Sequence, residues 1–364
     1  MKNIVIYDNE KSYSAFPDIE QLWNGDLVVA FREAVRRKMR THLDTTSKAV
    51  LVRSTDGGKT WGTKVTIYND ECGIQDPSLV QLEDGTHIAN FFKWRVGDES
   101  SLPAETHDLR RLGEESYAWT EGTFVIRSYD GGYTWEKEPI KVTSPIGNST
   151  YTSDAILELP DGELLIPLEG KRPGETERSM VMRSQDKGET WQDASTVAYD
   201  PFGNLSFHEP ALLALPSGKI ICMLRVHGRA TDPEGYYLYQ SESQDRGRTW
   251  STPQRTDIWG HPAHLLYLKS GKVLCAYGYR RPPYGVRACL SEDEGKTWNL
   301  KDELIIRSDG KDGDLGYPSS VQLSDGRILT VYYFHPLDED WSEGHSLIAG
   351  SFYRETERGM ELQY

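Results

Sequence analysis

Carboxylates, imidazoles and one phenol recur at corresponding places along the chain, each at the opening of an apolar run: Asp18, Asp76, Asp154, His208 with Glu209, His261 with His264, and Tyr317. Converging on one place, such groups form a small-molecule site able to move protons. Ser153 and Asp76 fit better a simpler role, satisfying backbone groups where strands end. Residues 32–44 hold Arg32, Arg36, Arg37, Lys38, Arg40, His42 and Asp44, a basic stretch in an acidic protein. Residues 93–120 form the longest insertion and carry Arg95, His107, Arg110 and Arg111. Taken singly these read as solvated loop residues; together, at equivalent connections, they predict a lid over a shared pocket. No HxH or HExxH spacing is present, so neither a metal nor another cofactor is expected.

The elements that must position these groups are read from two interleaved repeats. The first is Ser-x-Asp-x-Gly-x-Thr-Trp, found at 54–61, 128–135, 184–191, 243–250 and 291–298. Each copy follows a short apolar run, so it sits where a strand ends. Its Asp accepts backbone N–H groups of a tight turn, its Gly supplies a positive φ, and its Trp returns to the core. The second repeat is a Pro or Asp opening, an apolar strand, a Gly turn and another strand, with turn glycines at 25, 85, 162, 218, 271 and 326. Six units of four short strands follow, beginning near Pro17, Pro77, Asp154, Pro210, Pro262 and Pro318. Four-stranded units repeated radially make an all-β, six-bladed β-propeller. The unit from Pro318 runs out of chain before its fourth strand, and the N-terminal strand around residues 2–7 is expected to supply it and close the ring. The whole of 1–364 then forms one propeller domain.

The formal net charge is −15, with 27% charged residues and 11% aromatic residues. That balance argues against nucleic acid or an anionic membrane as partner. No 18-residue apolar run is present to span a bilayer. Cys72, Cys222, Cys275 and Cys289 show neither CxxC spacing nor the density of a disulfide framework, and the N-terminus lacks a secretory h-region. A cytoplasmic location is the expectation.

The five turn repeats resemble the Asp boxes of the sialidase (neuraminidase) superfamily, whose members are six-bladed propellers, and the resemblance covers essentially the whole chain. It implies further assignments. His208-Glu209-Pro210 followed by Leu224-Arg225 is similar to the segment whose Glu polarises a tyrosine nucleophile and whose Arg binds the substrate carboxylate. Gly316-Tyr317-Pro318 resembles the segment carrying that tyrosine, and Arg280-Arg281 the location of a second clamp arginine. Ser14-Ala15-Phe16-Pro17 stands where the family has its first clamp arginine, so Ala15 removes one third of the clamp; Arg32, Arg36 or Arg37 are candidates to replace it. For the family's acid/base Asp, the blade-one loop offers Asp44 ahead of Glu33 and His42. A phenol nucleophile avoids repulsion with an anionic substrate, and an arginine reads a carboxylate bidentately.

The implied activity is that of an exo-acting glycoside hydrolase releasing a terminal acidic sugar, with a carbohydrate substrate as its partner. Two other readings use the same residues. In a related exo-arabinanase arrangement Glu169 would partner Glu209. In a propeller lyase acting on a uronate, His208, His261, His264 and Tyr317 would abstract a proton. A non-catalytic glycan-binding propeller is the third class.

Overall fold

A computed structural model describes residues 3–38, 40–102, 109–228, 236–337, 344–357 and 359–363. Six antiparallel sheets follow one another along the chain, each running strand by strand from the innermost to the outermost. Blade one is Ser12–Gln21, Leu27–Val35, Lys48–Ser54 and Val65–Tyr68. Blade four, Leu205–Ala214, Ile220–Gly228, Tyr237–Ser243 and Gln254–Trp259, repeats it closely. Blade six takes Gly316–Gln322, Arg327–Phe334 and Leu347–Thr356 from the C-terminal part, and Ile4–Tyr7 pairs as its outer strand. The ring is thus closed by the N-terminus, as the repeat count requires. The C-terminal Gly359–Leu362 also pairs with Leu347–Thr356, a fifth strand that the repeat pattern did not announce.

Each turn repeat is a knot of local hydrogen bonds. In the first, Asp56 Oδ1 accepts from the N–H groups of Lys59 (3.0 Å) and Thr60 (2.9 Å), and Ser54 Oγ accepts from Gly58 N–H at 2.9 Å. Gly57 and Gly58 take φ of 73° and 85°, a region costly to residues with a Cβ. The hydrophobic cores lie between neighbouring blades. Leu27, Val29 and Phe31 of blade one pack with Leu329, Val331 and Tyr333 of blade six, and Val28, Ala30 and Leu51 pack with Ala89 and Phe91 of blade two. Every blade is therefore half of two cores, and the ring is a single cooperative unit around its axis.

Carboxylates latch the inner strands together. Asp18 accepts from Leu79 N–H of blade two at 2.8 Å, and Asp154 accepts from Leu212 N–H of blade four at 2.9 Å. Burial pushes the Asp18 carboxyl up to about 6 and that of Asp154 up to about 7, with Asp18 itself adding to the second shift.

Candidate active site

Four of the six inner strands carry the same defect, a bulge just before a proline. Phe16, Asp76, Glu209 and Tyr317 precede Pro17, Pro77, Pro210 and Pro318 and have φ of 55°, 48°, 45° and 48°. Pairing slips at each place, between Ala15 and Asp18, Gln75 and Ser78, His208 and Ala211, and Gly316 and Ser319. A bulge re-aims a side chain, and a non-glycine residue at positive φ persists only where surrounding structure enforces it. Here four bulges deliver four side chains to one axial cavity of about 20 Å³. An adjoining pocket of about 160 Å³ opens to solvent and shares Asp76, Glu209 and Tyr317 with it.

Tyr317 donates its hydroxyl to Glu209 Oε1, and Arg225 Nη1 donates to the same oxygen at 2.7 Å. Arg225 Nε is tied to His227 Nε2 at 3.0 Å, which fixes the guanidinium. Arg280 stands over the Tyr317 ring, 5.4 Å from its centroid; its Nε donates to the Leu315 carbonyl, and its buried Nη2 has no partner among the described residues. Burial works against charge on Glu209, yet Arg225, the Tyr317 hydroxyl and Arg280 outweigh it and hold the carboxyl below its usual range. Burial and the Glu209 charge push the Tyr317 phenol well up, so the resting tyrosine is neutral.

Asp76 is the pocket carboxyl that sequence reading set aside. It is 6% exposed, lines both cavities, and its Oδ1 has no partner among the described residues. Burial, reinforced by the charge of Glu209, pushes its carboxyl well above the ordinary range. Two carboxyls of one pocket are thereby driven apart, one ionised and one protonated, the pattern of an acid and a base. The signal was present in the sequence as Asp76-Pro77, Glu209-Pro210 and Tyr317-Pro318.

The remaining candidates divide by position. Asp44, favoured as the acid, does not line the pocket: its carboxylate accepts from Arg37 Nε at 2.9 Å and from Thr46 Oγ1 at 2.7 Å. Those bonds hold it below its usual range despite burial. Arg281 turns outward, with its guanidinium 4.0 Å from the Trp259 ring centroid and Nε on the Tyr279 hydroxyl, so Arg280 is the arginine that faces Tyr317. Arg32 lies on a strand rather than in the loop, directly opposite Ala15, fully buried, with Nη2 on the carbonyls of Thr41 and His42. It is packed beneath the loop and does not line the pocket.

His261 stacks on Tyr236, and burial with Arg225 and Arg280 holds it well below its usual range. His264 lines only the axial cavity and is held at about 4 by burial, and Asp154 is the interblade latch described above. His208 and Glu169 do line the pocket, paired through Nδ1 and Oε2 at 2.9 Å. Part of its wall is aromatic, Phe92, Trp94 and Tyr151, with the Arg110 guanidinium 4.7 Å from the Trp94 ring centroid, and Gln75 and Glu177 add polar groups. No local pattern marked that wall. His42 and Arg110 bring the two predicted inserts to the rim; His107 lies outside the described residues.

The family model of the BNR repeat-like domain matches residues 110–330. The chain belongs to the BNR-repeat propellers of the sialidase superfamily. Its relatives include a sialidase of Paraclostridium sordellii, 22% identical over 298 residues that make up 73% of this chain and 69% of that protein. A sialidase of Micromonospora viridifaciens is 25% identical over 307 residues, 77% of this chain, and the match spans 44% of that longer protein. Among solved structures, a Dyadobacter fermentans protein of unknown function superposes with a TM-score of 0.85 at 31% identity, covering 100% of this chain and 98% of that one. The superfamily is one of sialidase-like glycoside hydrolases.

Proposed function

We propose that the protein is a glycoside hydrolase that releases a terminal acidic sugar through a tyrosine nucleophile. The observation that carries this reading is the single oxygen of Glu209 that receives both the Tyr317 hydroxyl and Arg225 Nη1. Tyr317 Oη attacks the anomeric carbon while its proton passes to Glu209, and the glycosidic C–O bond breaks as Asp76 protonates the leaving oxygen. Water then attacks the tyrosyl-linked sugar, giving its proton to the Asp76 carboxylate, and Glu209 returns the proton to the departing phenolate. Arg225 and Arg280 hold the sugar's carboxylate. With Ala15 in place of a third arginine, the acidic group is gripped from one side of the pocket only.

The relatives named as sialidases support the reaction class. Engagement of Glu169 by His208 and by the Glu209 N–H disfavours it as a second reacting carboxylate, and burial, which holds His261 and His264 below their usual range and makes both weak bases, disfavours the lyase arrangement. A screen of aryl glycosides of N-acetylneuraminate, uronates and neutral sugars tests the proposal. The expected result is release of the aryl group from an acidic glycoside by the wild type, with loss of roughly 10³-fold or more in Tyr317→Phe. Turnover restricted to neutral glycosides, or undiminished in Tyr317→Phe, contradicts it.

A further inference from the structure

His208 and Arg225 are directly opposite one another on neighbouring strands of blade four, so their side chains stand side by side on one face of the sheet. Arg225 faces the Tyr317–Glu209 pair. His208 lines the pocket with its side chain 18% exposed, and the strand of blade three beside it supplies Glu169, 14% exposed. One oxygen of Glu169 serves two donors: Oε2 lies 2.9 Å from His208 Nδ1 and accepts from the backbone N–H of Glu209 at 2.9 Å. With Nδ1 committed to Glu169, ring orientation is fixed and Nε2 is the nitrogen left for a ligand.

We propose that His208 is a substrate contact, its ring fixed by Glu169 so that Nε2–H donates to the sugar's anionic group beside Arg225 and Arg280. This rests on the acidic-sugar reading above and adds a pH-dependent term to it. The groups facing His208 are Glu169 from blade three, Glu177 with its partner Lys171 from the connection that follows, Glu209 on its own strand, Arg225 and His227 on the next, and His261 at the start of blade five. The His227 ring lies 4.8 Å away and also contacts His261. His227 is held at about 4, chiefly by burial and then by Arg225, so it brings no charge at neutral pH. Glu177 is bonded by Lys171 Nζ at 2.6 Å, which divides its charge between two partners. Burial works against a charged His208 and so does Arg225; Glu169 outweighs both, with Glu177 assisting, and the imidazole is held above its ordinary value. A cation that can lose its proton, held above the ordinary imidazole value, thus stands next to two that keep theirs. Affinity for an anionic sugar must then fall as pH rises through the imidazole range, whereas affinity for the esterified sugar stays level.

The test is calorimetric binding of free N-acetylneuraminate and galacturonate, each beside its methyl ester, at about pH 6 and about pH 8.5, to protein with native His208 and Glu169 (wild type at these positions), His208→Asn and Glu169→Gln, each carrying Asp76→Asn so that the pocket's other titrating carboxyl adds no charge of its own. The wild type is expected to bind an acid about tenfold more tightly at the lower pH, the worth of one charge-assisted hydrogen bond. His208→Asn is expected to bind that acid equally at both, about tenfold more weakly than wild type at the lower pH. Glu169→Gln is expected to move the midpoint of the wild-type pH dependence downward, a change that loss of packing alone does not produce. In wild type, the His208 ring resonances are expected to shift when the acid is added, a readout that needs no variant. Acid binding that is insensitive to pH, a pH dependence that survives in His208→Asn, or ring resonances that stay still while the acid binds overturns the inference and leaves the acidic-sugar reading standing. Binding of the esters with no binding of either acid at any pH overturns that reading itself.

Discussion

Tyr317 and Glu209 share a hydrogen bond although 108 residues and the whole of blade five separate them. Each sits at positive φ immediately before a proline, at a slipped pairing on an inner strand. Closure of the ring, rather than local sequence, brings the phenol to the carboxylate, and the same closure places Arg225 and Arg280 around the pair.

The two carboxyls of the pocket set the pH profile. Glu209 must be ionised and Asp76 protonated in the reactive form. Glu209 is held below the ordinary carboxylate range, so the acid-side fall of kcat/KM lies below that range. Asp76 is pushed well above that range, so its deprotonation defines the alkaline limb. A bell-shaped kcat/KM profile for wild type is the expected measurement; in Asp76→Asn the alkaline fall is expected to be absent from kcat, with the His208 dependence of affinity remaining in KM.

Asp76 and Asp44 are separated by a pair of variants. Asp76→Asn is expected to lower kcat/KM by roughly 10²–10⁴-fold on substrates with poor leaving groups and far less on activated aryl glycosides, since in forming the glycosyl-tyrosine an acid assists only the departing oxygen. Asp44→Asn breaks the bonds to Arg37 and Thr46 and is expected to alter the melting temperature more than kcat. Steady-state kinetics on two leaving groups, with a thermal melt of each variant, decides between them.

Arg280 and Arg281 are neighbours in sequence with opposite surroundings. Arg280→Ala is expected to raise KM for an acidic substrate by about tenfold to a hundredfold, the loss of one charge-assisted contact. Arg281→Ala removes the stacking on Trp259 and the bond to the Tyr279 hydroxyl and is expected to leave KM within about twofold. Equal effects from the two variants would contradict this orientation.

The turn repeats carry stability. Ser184 is 1% exposed; its Oγ donates to Asp186 Oδ1 at 2.7 Å and accepts from Gly188 N–H at 2.8 Å. Ser184→Ala leaves that buried N–H unmatched and is expected to cost about 1–3 kcal/mol of unfolding free energy. Chemical denaturation measures it, and activity well below the melting temperature is expected to be unchanged.

Blade number and ring closure were legible because their signals are local. An Asp that caps a turn, a Gly at positive φ and a Trp returning to the core act within eight residues, and five copies state the architecture repeatedly. Glu209, Arg225 and Tyr317 were legible through their resemblance to a known site. Asp76 was read as a strand-end group because one Asp-Pro is ordinary; its meaning arises only when three bulges converge and burial raises its carboxyl. The choice between Arg280 and Arg281 depends on Trp259 and Tyr279 offering a stacking platform to one of them, a contact invisible in the linear text. The Phe92, Trp94 and Tyr151 wall joins two blades and has no local pattern.

The central claim is that Tyr317 becomes covalently bound to the sugar. Acid-quenched mixtures of Asp76→Asn with an activated aryl glycoside of the acidic sugar identified in the screen test it by intact mass and peptide mapping. In that variant the activated leaving group needs no acid, whereas the hydrolytic step lacks its base, so the intermediate accumulates. A mass increase of one glycosyl residue located on Tyr317 is the predicted result. Product formation with no adduct at any time, or an adduct on another residue, contradicts the account.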